Sequence, residues 1–215
     1  MRFRSAPPFA DRADAGRRLA HRLAPLALTD VVVLGLPRGG VPVAFEVARA
    51  LAAPLDVIVV RKLGVPSRPE LAMGAIGEDG SEVLDRAVVA QAGVTNEEVR
   101  EVENRERDEL EARVRRLRAG REPPDLTGRT ALVVDDGIAT GATVRVACRV
   151  ARGWGASQVV VAAPVAPPST LDELTGADDV VVLRTPEPFS SVGLWYRDFS
   201  AVSDREVEAL LAATA

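Results

Sequence analysis

The chain has 215 residues, 47% apolar and only 4% aromatic, which suits one domain whose core is a parallel sheet covered by helices. A net charge of −4 argues against a global nucleic-acid footprint, and no apolar run approaches the roughly 18 residues that span a bilayer. The single cysteine rules out an intramolecular disulfide and predicts a cytoplasmic location, and the single histidine nearly excludes Ser-His or Cys-His nucleophiles and His-rich metal sites.

The first third of the chain predicts a βαβ unit after a loose tail that ends at about Ala10. No signal peptide is expected, because Ser-Ala-Pro-Pro and then Asp follow the basic N-terminal residues instead of an apolar segment. Apolar spacing predicts a helix over 11–26. Buried strands over 31–34 and 55–60 flank a Gly-rich loop at 35–40 and a second helix. This order predicts one right-handed crossover.

Two cations, Arg61 and Lys62, end the second predicted strand. Residues 63–70 contain two prolines and a glycine, which predicts a mobile loop. Short strands over 71–76 and 81–84 follow, joined by a hairpin-type turn. We therefore expect a small hairpin subdomain beside the main sheet.

A long charged helix is predicted from Thr95 to about Leu117. Residues 95–98 form a capping box that begins it, and Gly120 is expected to end it. Its apolar stripe is narrow, and acidic-to-basic pairs recur at i, i+4 spacing. We interpret it as a solvated helix across the core; a lid, a dimer contact or a nucleic-acid contact is less favoured, because the charges alternate in sign. The pairs are Glu101/Arg105, Glu103/Arg107, Glu109/Arg113 and Glu111/Arg115.

The most informative stretch is 131–143, which begins as a buried strand rich in β-branched residues. Asp135 and Asp136 follow this strand, and a loop of Gly, Ala and Thr leads into a helix near Thr143. In a parallel sheet, the carboxyl end of a strand opens onto the crevice where ligands bind. Small residues let backbone amides approach an anion, so the loop suits a phosphate monoester. The two carboxylates would repel that phosphate and are placed instead for hydroxyls or a divalent cation.

Strands over 158–163 and 180–183 bring the core to five, which predicts an α/β fold with a doubly wound, mostly parallel five-stranded sheet and flanking helices. The C-terminal segment departs from this alternation, and Ser203 caps a final helix. We predict one domain over 1–215. Its parts are a core at about 31–183, the charged helix inserted at about 95–118, and a hood with a helix at about 185–213.

Residues 131–143 resemble the phosphoribosyl pyrophosphate (PRPP) signature of type I phosphoribosyltransferases: an apolar strand, two acidic residues, a small-residue loop, then Thr-Gly-small-Thr. The alternative is an ordinary strand-to-helix turn, which would not need two carboxylates. The resemblance implies that Asp135 and Asp136 are catalytic and hold the ribose hydroxyls directly or through Mg²⁺. It also implies which residues cradle the 5′-phosphate: Ala139, Thr140, Gly141, Ala142 and Thr143.

The same resemblance assigns residues 36–40 to the loop that holds pyrophosphate, with a cis peptide expected between Pro37 and Arg38. Arg38 would supply a cation, and the Gly39 and Gly40 amides would donate to pyrophosphate oxygens. The alternative is a structural turn with a solvated arginine.

Members of the family close a flexible loop over PRPP, which keeps water from the transition state. The resemblance places that loop at 63–70, with Lys62 as a catalytic cation and Arg61 as a pyrophosphate ligand. The alternative interpretation, equally consistent with the sequence, is that each of these cations is an ordinary surface charge.

Four of the chain's eight aromatic residues lie in the C-terminal hood, in a run similar to that of purine phosphoribosyltransferases. The resemblance makes Phe189 a candidate for stacking on the base, with Val192 and Asp198 as candidate contacts to its edge. An aromatic cluster that seals the end of the sheet explains the run equally well.

By this resemblance the function is transfer of ribose 5-phosphate from PRPP to a nitrogenous base, with Mg²⁺ as cofactor and pyrophosphate as product. The alternative is a non-catalytic PRPP- or nucleotide-sensing regulator of the same fold. A positive face across residues 113–118 would favour the regulator. The expected partners are PRPP and a base, with no membrane and no nucleic acid; the resemblance also allows a homodimer.

Overall fold

The computed structural model describes residues 8–213, so the first seven residues of the predicted tail lie outside the described part. The strands are β1 Val31–Gly35, β2 Leu55–Val57, β3 Val60–Val65, β4 Arg68–Gly77, β5 Glu82–Leu84, β6 Thr130–Val134, β7 Gln158–Val165 and β8 Asp179–Arg184. The helices are α1 Arg12–Leu23, α2 Gly40–Leu51, α3 Arg86–Gln91, α4 Asn96–Arg118, α5 Ala142–Gly153, α6 Pro168–Asp172 and α7 Asp204–Ala212. The short α3 was not predicted from the sequence.

The main sheet has five parallel strands in the order β2-β1-β6-β7-β8, which confirms the predicted fold class. From β1 the chain proceeds to β2 on one side, and from β6 it proceeds to β7 and β8 on the other. The strand order therefore reverses between β1 and β6. In open α/β sheets, ligands bind at the carboxyl end of such a switch point.

Alternate residues of the strands supply two apolar layers, one on each face of the main sheet. Val31 and Val33 pack in the layer that contains buried residues of α1 and α2. Val32 and Leu34 pack in the layer that contains buried residues of α5. Each strand of the sheet's centre is thus buried on both faces, which explains its continuous apolar sequence.

The region after β2 differs from the sequence-based prediction. The predicted strand over 55–60 ends at Val57, and Arg61 and Lys62 lie on β3, in a separate antiparallel sheet with the order β3-β4-β5. The predicted mobile loop over 63–70 is the β3–β4 hairpin, in which Val65 pairs with Arg68. The strand prediction was wrong beyond Val57 because the apolar run 55–60 is divided between two sheets. The loop prediction was wrong because 63–65 and 68–70 belong to the paired strands β3 and β4, joined by a turn at 66–67.

Helix α4 begins with the predicted capping box, in which Thr95 Oγ1 accepts from the Glu98 amide and the Glu98 carboxylate accepts from the Thr95 amide. Of the predicted i, i+4 pairs, Glu111/Arg115 forms among the described residues. Arg105 contacts Glu106, and Arg113 contacts Asp204 of α7.

The C-terminal end of α4 is anchored by a buried arginine. Arg118 is 6% exposed, and its guanidinium donates to both carboxylate oxygens of Glu78, at 2.6 and 3.0 Å. It also donates to the Val57 carbonyl and lies over the Trp154 ring. An uncompensated positive face over 113–118, which would have favoured the regulator, is not present, because Arg118 is buried and the other three arginines are paired with carboxylates.

Near the N-terminus, Phe9 is buried and forms a bridge with Tyr196, so the predicted tail is wrong for this residue. Phe9 packs at a ring-centroid distance of 5.4 Å from Tyr196. Within residues 8–213, no helix combines the length and apolar character needed to cross a bilayer.

Candidate functional site

The site lies where the loops after β1 and β6 meet, at the switch point of the main sheet. The peptide between Pro37 and Arg38 is cis, as expected from the sequence. A Cβ atom on Gly39 would overlap Oδ2 of Asp136, and one on Gly40 would lie 2.7 Å from the Val134 carbonyl oxygen. Neither position has room for a side chain: the Asp136 carboxylate fills that space at Gly39, and the backbone at the end of β6 fills it at Gly40.

The two adjacent acids form a coupled pair. The Asp136 amide donates to Oδ1 of Asp135 at 2.8 Å, and Arg12 Nε donates to Oδ2 of Asp136 at 2.8 Å. Burial, and then the charge of Asp136, raise the pKa of Asp135 well above its usual value. Burial also raises the pKa of Asp136, although the Arg12 guanidinium opposes that shift. A cation or hydroxyl donors bound at the pair would therefore favour the ionised carboxylates.

Sequence reasoning missed Arg12, Tyr196 and Phe199, which surround Asp136. Arg12 donates through Nη1 to the Ser200 carbonyl at 2.8 Å, and its guanidinium lies 4.0 Å from the Phe199 ring centroid. The Tyr196 hydroxyl donates to the Asp136 carbonyl at 2.6 Å. The aromatic run indicated the two rings, whereas no spacing signal connects Arg12 with an acid 124 positions away.

The small-residue loop precedes α5. Gly141 has a φ of 74°, a left-handed conformation that glycine adopts without strain, and it is the N-cap of that helix. The Thr170 hydroxyl donates to the Ala139 carbonyl at 2.6 Å and fixes the loop from the side of α6. Ala139 and Thr140 are both exposed and line the open space beside α5, so a ligand can reach their backbone.

A cavity of about 280 Å³ brings most of the predicted residues together. Its wall includes both acids, the loop and Lys62, which lies on β3 and not at the end of a core strand. The positive charge of Lys62 lowers the pKa of Asp135 and so opposes the rise that burial causes. Both groups line this cavity.

The remaining predicted cations lie outside this cavity's wall. Arg38 is exposed, and Arg61 donates through Nε and Nη2 to Glu106 of α4, at 3.0 and 2.6 Å.

The structure separates the three residues predicted to contact a base. Val192 and Phe199 line the cavity with the acids, and Val192 lies against Gly137. Phe189 lines a neighbouring cavity of about 510 Å³ that shares Ala139 and Thr140 with the first. Asp198 is exposed, and its carboxylate accepts from the amide and hydroxyl of Ser200.

Comparison with known proteins identifies the family. A model of the phosphoribosyl transferase domain matches residues 10–195. The chain belongs to the phosphoribosyltransferase family. The match contains the cis-peptide loop, the acid pair and the small-residue loop within one phosphoribosyltransferase domain.

Relatives of this chain include proteins of two Mycobacterium tuberculosis strains, CDC 1551 and H37Rv, that are named provisionally as phosphoribosyl transferases. They are 57% identical over 204 residues, which is 94% of this chain and 46% of theirs. The chain thus spans about half the length of the curated relatives it matches.

Among solved structures, TT1426 from Thermus thermophilus matches with a TM-score of 0.81 at 45% identity, over 97% of this chain and 99% of that one. The AQ2163 protein from Aquifex aeolicus matches with a TM-score of 0.50 at 13% identity, over 85% and 78%. The second likeness is one of fold.

Proposed function

We propose that the protein transfers ribose 5-phosphate from PRPP to a nitrogenous base and releases pyrophosphate, with Mg²⁺ as cofactor. The observation that carries this proposal is the shared cavity, which Asp135 and Asp136 line together with Lys62 and with four of the five residues of the loop over 139–143, all but Ala142. A phosphorylated sugar needs an anion site and hydroxyl acceptors a few ångströms apart, and the end of β6 supplies both.

Asp135 and Asp136 would hold the ribose hydroxyls and stabilise positive charge at the anomeric carbon. The loop of Ala139, Thr140, Gly141, Ala142 and Thr143 would bind the 5′-phosphate with its amides and the N-terminus of α5. Such a reaction depends on positioning and electrostatics and needs no covalent nucleophile.

The pyrophosphate end of PRPP would lie against the loop of Arg38, Gly39 and Gly40, with Lys62 as the catalytic cation and Arg61 beside it. Since Arg61 and Lys62 lie on a paired strand, hairpin movement would involve β3 and β4 together rather than a free loop. Closure of such a segment would exclude water from the reacting sugar.

The acid pair fits Mg²⁺ as a partial ligand set. Residues 8–213 contain no group of three or more His, Cys, Asp or Glu side chains arranged for a metal. Mg²⁺ is commonly bound by one or two carboxylates together with waters and substrate phosphates, which is what Asp135 and Asp136 offer. Bound there, the ion would neutralise charge on the leaving pyrophosphate.

For the acceptor, Val192 and Phe199 are the hood residues that line the cavity of the acids. Phe189 remains a proposed stacking residue from the adjoining cavity. Asp198 has less support, since its carboxylate is engaged with Ser200. A homodimer and a cytoplasmic location stay predictions.

The test is pyrophosphate release from PRPP and Mg²⁺ across a panel of bases. We expect release that depends on one base and falls about 100-fold or more in Asp135→Asn, which removes one charge from the pair. Asp108→Asn removes the same charge from an exposed position on α4 and should leave release unchanged.

Tight PRPP binding with no release under any base would instead support the sensing regulator. A positive face over 113–118 would have favoured the regulator, but each arginine there is paired with a carboxylate, and Arg118 is also buried.

A further inference from the structure

A cationic cavity of about 590 Å³ lies between β3 and α4. Its lining contains four cationic side chains and one anionic side chain. The cations are Arg61, Lys62, Arg105 and Arg113, and the anion is Glu106. The wall is thus strongly positive within a chain whose net charge is −4. Such local concentration of one sign favours an anionic occupant.

The carboxylates nearby do not neutralise this cluster, because each is shared by two guanidinium groups. Glu106 accepts from Arg61 at 2.6 Å and from Arg105 at 3.3 Å. Asp204 of α7 accepts from Arg113 at 3.1 Å and from Arg116 at 2.6 Å.

Two of the cations keep unused donors. The Lys62 side chain makes no ion pair or hydrogen bond within residues 8–213. Arg113 is only 18% exposed, and its Nε is buried without a partner among the same residues. A buried donor left without an acceptor costs stability, so Arg113 Nε is available to an acceptor that the chain does not supply, either water or a bound anion.

The surroundings of Arg113 carry the same sign. Burial lowers the pKa of Arg113, and the positive charges of Arg38 and Arg61 lower it further, while Asp204 opposes the shift. The guanidinium groups of Arg38 in the β1 loop and Arg61 in β3 thus each repel that of Arg113. A multiply charged anion between them would turn that repulsion into attraction.

This cavity adjoins the candidate site. Lys62 lines both cavities, and Arg38 precedes Gly39, which packs on Asp136. A single ligand that fills both cavities would place its anionic part between β3 and α4 and its sugar at the acid pair. Guanidinium forks match the paired oxygens of phosphate groups, so a diphosphate is the ligand class that fits.

We propose that α4 supplies Arg113 as a diphosphate-binding residue, which completes with Arg61 and Lys62 the site for the pyrophosphate end of the donor. Arg113 lies outside the signature and outside the loop at 36–40. The identity of the ligand as part of PRPP rests on the proposed function; the diphosphate site does not.

The test is calorimetric titration of the full chain with inorganic pyrophosphate, with and without Mg²⁺, at fixed ionic strength. Arg113→Gln should weaken binding about tenfold or more, because it removes a charge and the fork. Arg116→Gln is the matched control: Arg116 pairs with the same Asp204 but is 61% exposed and does not line the cavity. The pyrophosphate affinity of Arg116→Gln should stay within about twofold of that of the parent protein.

Arg113→Lys keeps a charge near Asp204 and serves if the glutamine variant does not fold; we expect pyrophosphate binding several-fold weaker than the parent, since an ammonium lacks the fork. Unchanged pyrophosphate affinity in either folded Arg113 variant, or equal losses in Arg113→Gln and Arg116→Gln, would overturn the proposal.

Release assays separate this result from the proposed function. Turnover with pyrophosphate affinity independent of Arg113 would reject the Arg113 site and keep the transferase. Arg113-dependent pyrophosphate binding without turnover on any base would reject the transferase and keep the site.

Discussion

At the residue scale, Asp135 and Asp136 place two carboxylates side by side with little access to water. The Arg12 guanidinium donates to the Asp136 carboxylate, and the Asp135 carboxylate accepts a hydrogen bond from the Asp136 amide. Burial raises the pKa of both, so their ionised forms cost stability at neutral pH. Such a cost is typical of groups positioned for a ligand rather than for folding.

Asp135→Asn should therefore stabilise the ligand-free protein by about 1 kcal/mol at about pH 8, because it removes the less compensated charge while its amide oxygen still accepts from Asp136. A raised folded-state pKa means that stability is lost as the pH rises from about 4 through that pKa. The gain should therefore shrink toward about pH 4. Urea unfolding of both proteins, at both pH values, measures it.

A variant that is less stable than the parent at the higher pH would contradict this account of the pair. The same measurement is also a control for the activity assay. If Asp135→Asn is more stable than the parent, unfolding does not explain its loss of pyrophosphate release.

At the element scale, the β3–β4 hairpin shows how pairing decides the role of a segment. Residues 63–70 have the prolines and glycine of a loop, but Leu63 and Val65 are buried and β3 pairs with β4. Arg61 and Lys62 consequently have fixed positions between the acid pair and α4.

The attachment of α4 depends on Arg118. Arg118→Met should lower the free energy of unfolding by about 3 kcal/mol, because it leaves the buried Glu78 carboxylate without its cation. Arg115→Met removes an exposed arginine paired with Glu111 and should change stability by less than about 0.5 kcal/mol. Denaturant unfolding followed by circular dichroism compares the two, and equal effects would show that Arg118 is not the anchor.

At the scale of the whole molecule, the candidate site is assembled from distant parts of the chain. Arg12 of α1 and Tyr196 of the C-terminal segment both contact Asp136, and Lys62 comes from the small sheet. Folding of the two ends is therefore coupled to the geometry of the acid pair.

Arg12→Met should lower stability by about 2 kcal/mol and weaken PRPP binding about tenfold, because Arg12 holds Asp136 and opposes the rise of its pKa. Without Arg12 the Asp136 carboxylate ionises at higher pH. The pH range over which PRPP affinity increases should therefore shift to higher pH. Titration calorimetry across pH measures this. Arg17→Met, which removes an exposed arginine of the same helix, is the control, and equal behaviour of the two variants would reject the role of Arg12.

The sequence by itself determined the sheet and the family. Continuous apolar runs, the acid pair and the Thr-Gly loop lie within short stretches, and local hydrogen bonding and burial of both sheet faces leave such stretches few alternatives. The capping box at Thr95 and the cis peptide at Pro37 were likewise readable from local pattern or resemblance.

Only the tertiary structure decided what surrounds those motifs. The apolar run at 55–60 splits between two sheets, Arg12 reaches an acid 124 positions away, and Arg113 lines a cavity with β3. Each depends on which elements pack together, and pairing between distant segments leaves no periodic signal in the chain. Charge neutralisation and burial at these contacts are properties of the folded arrangement alone.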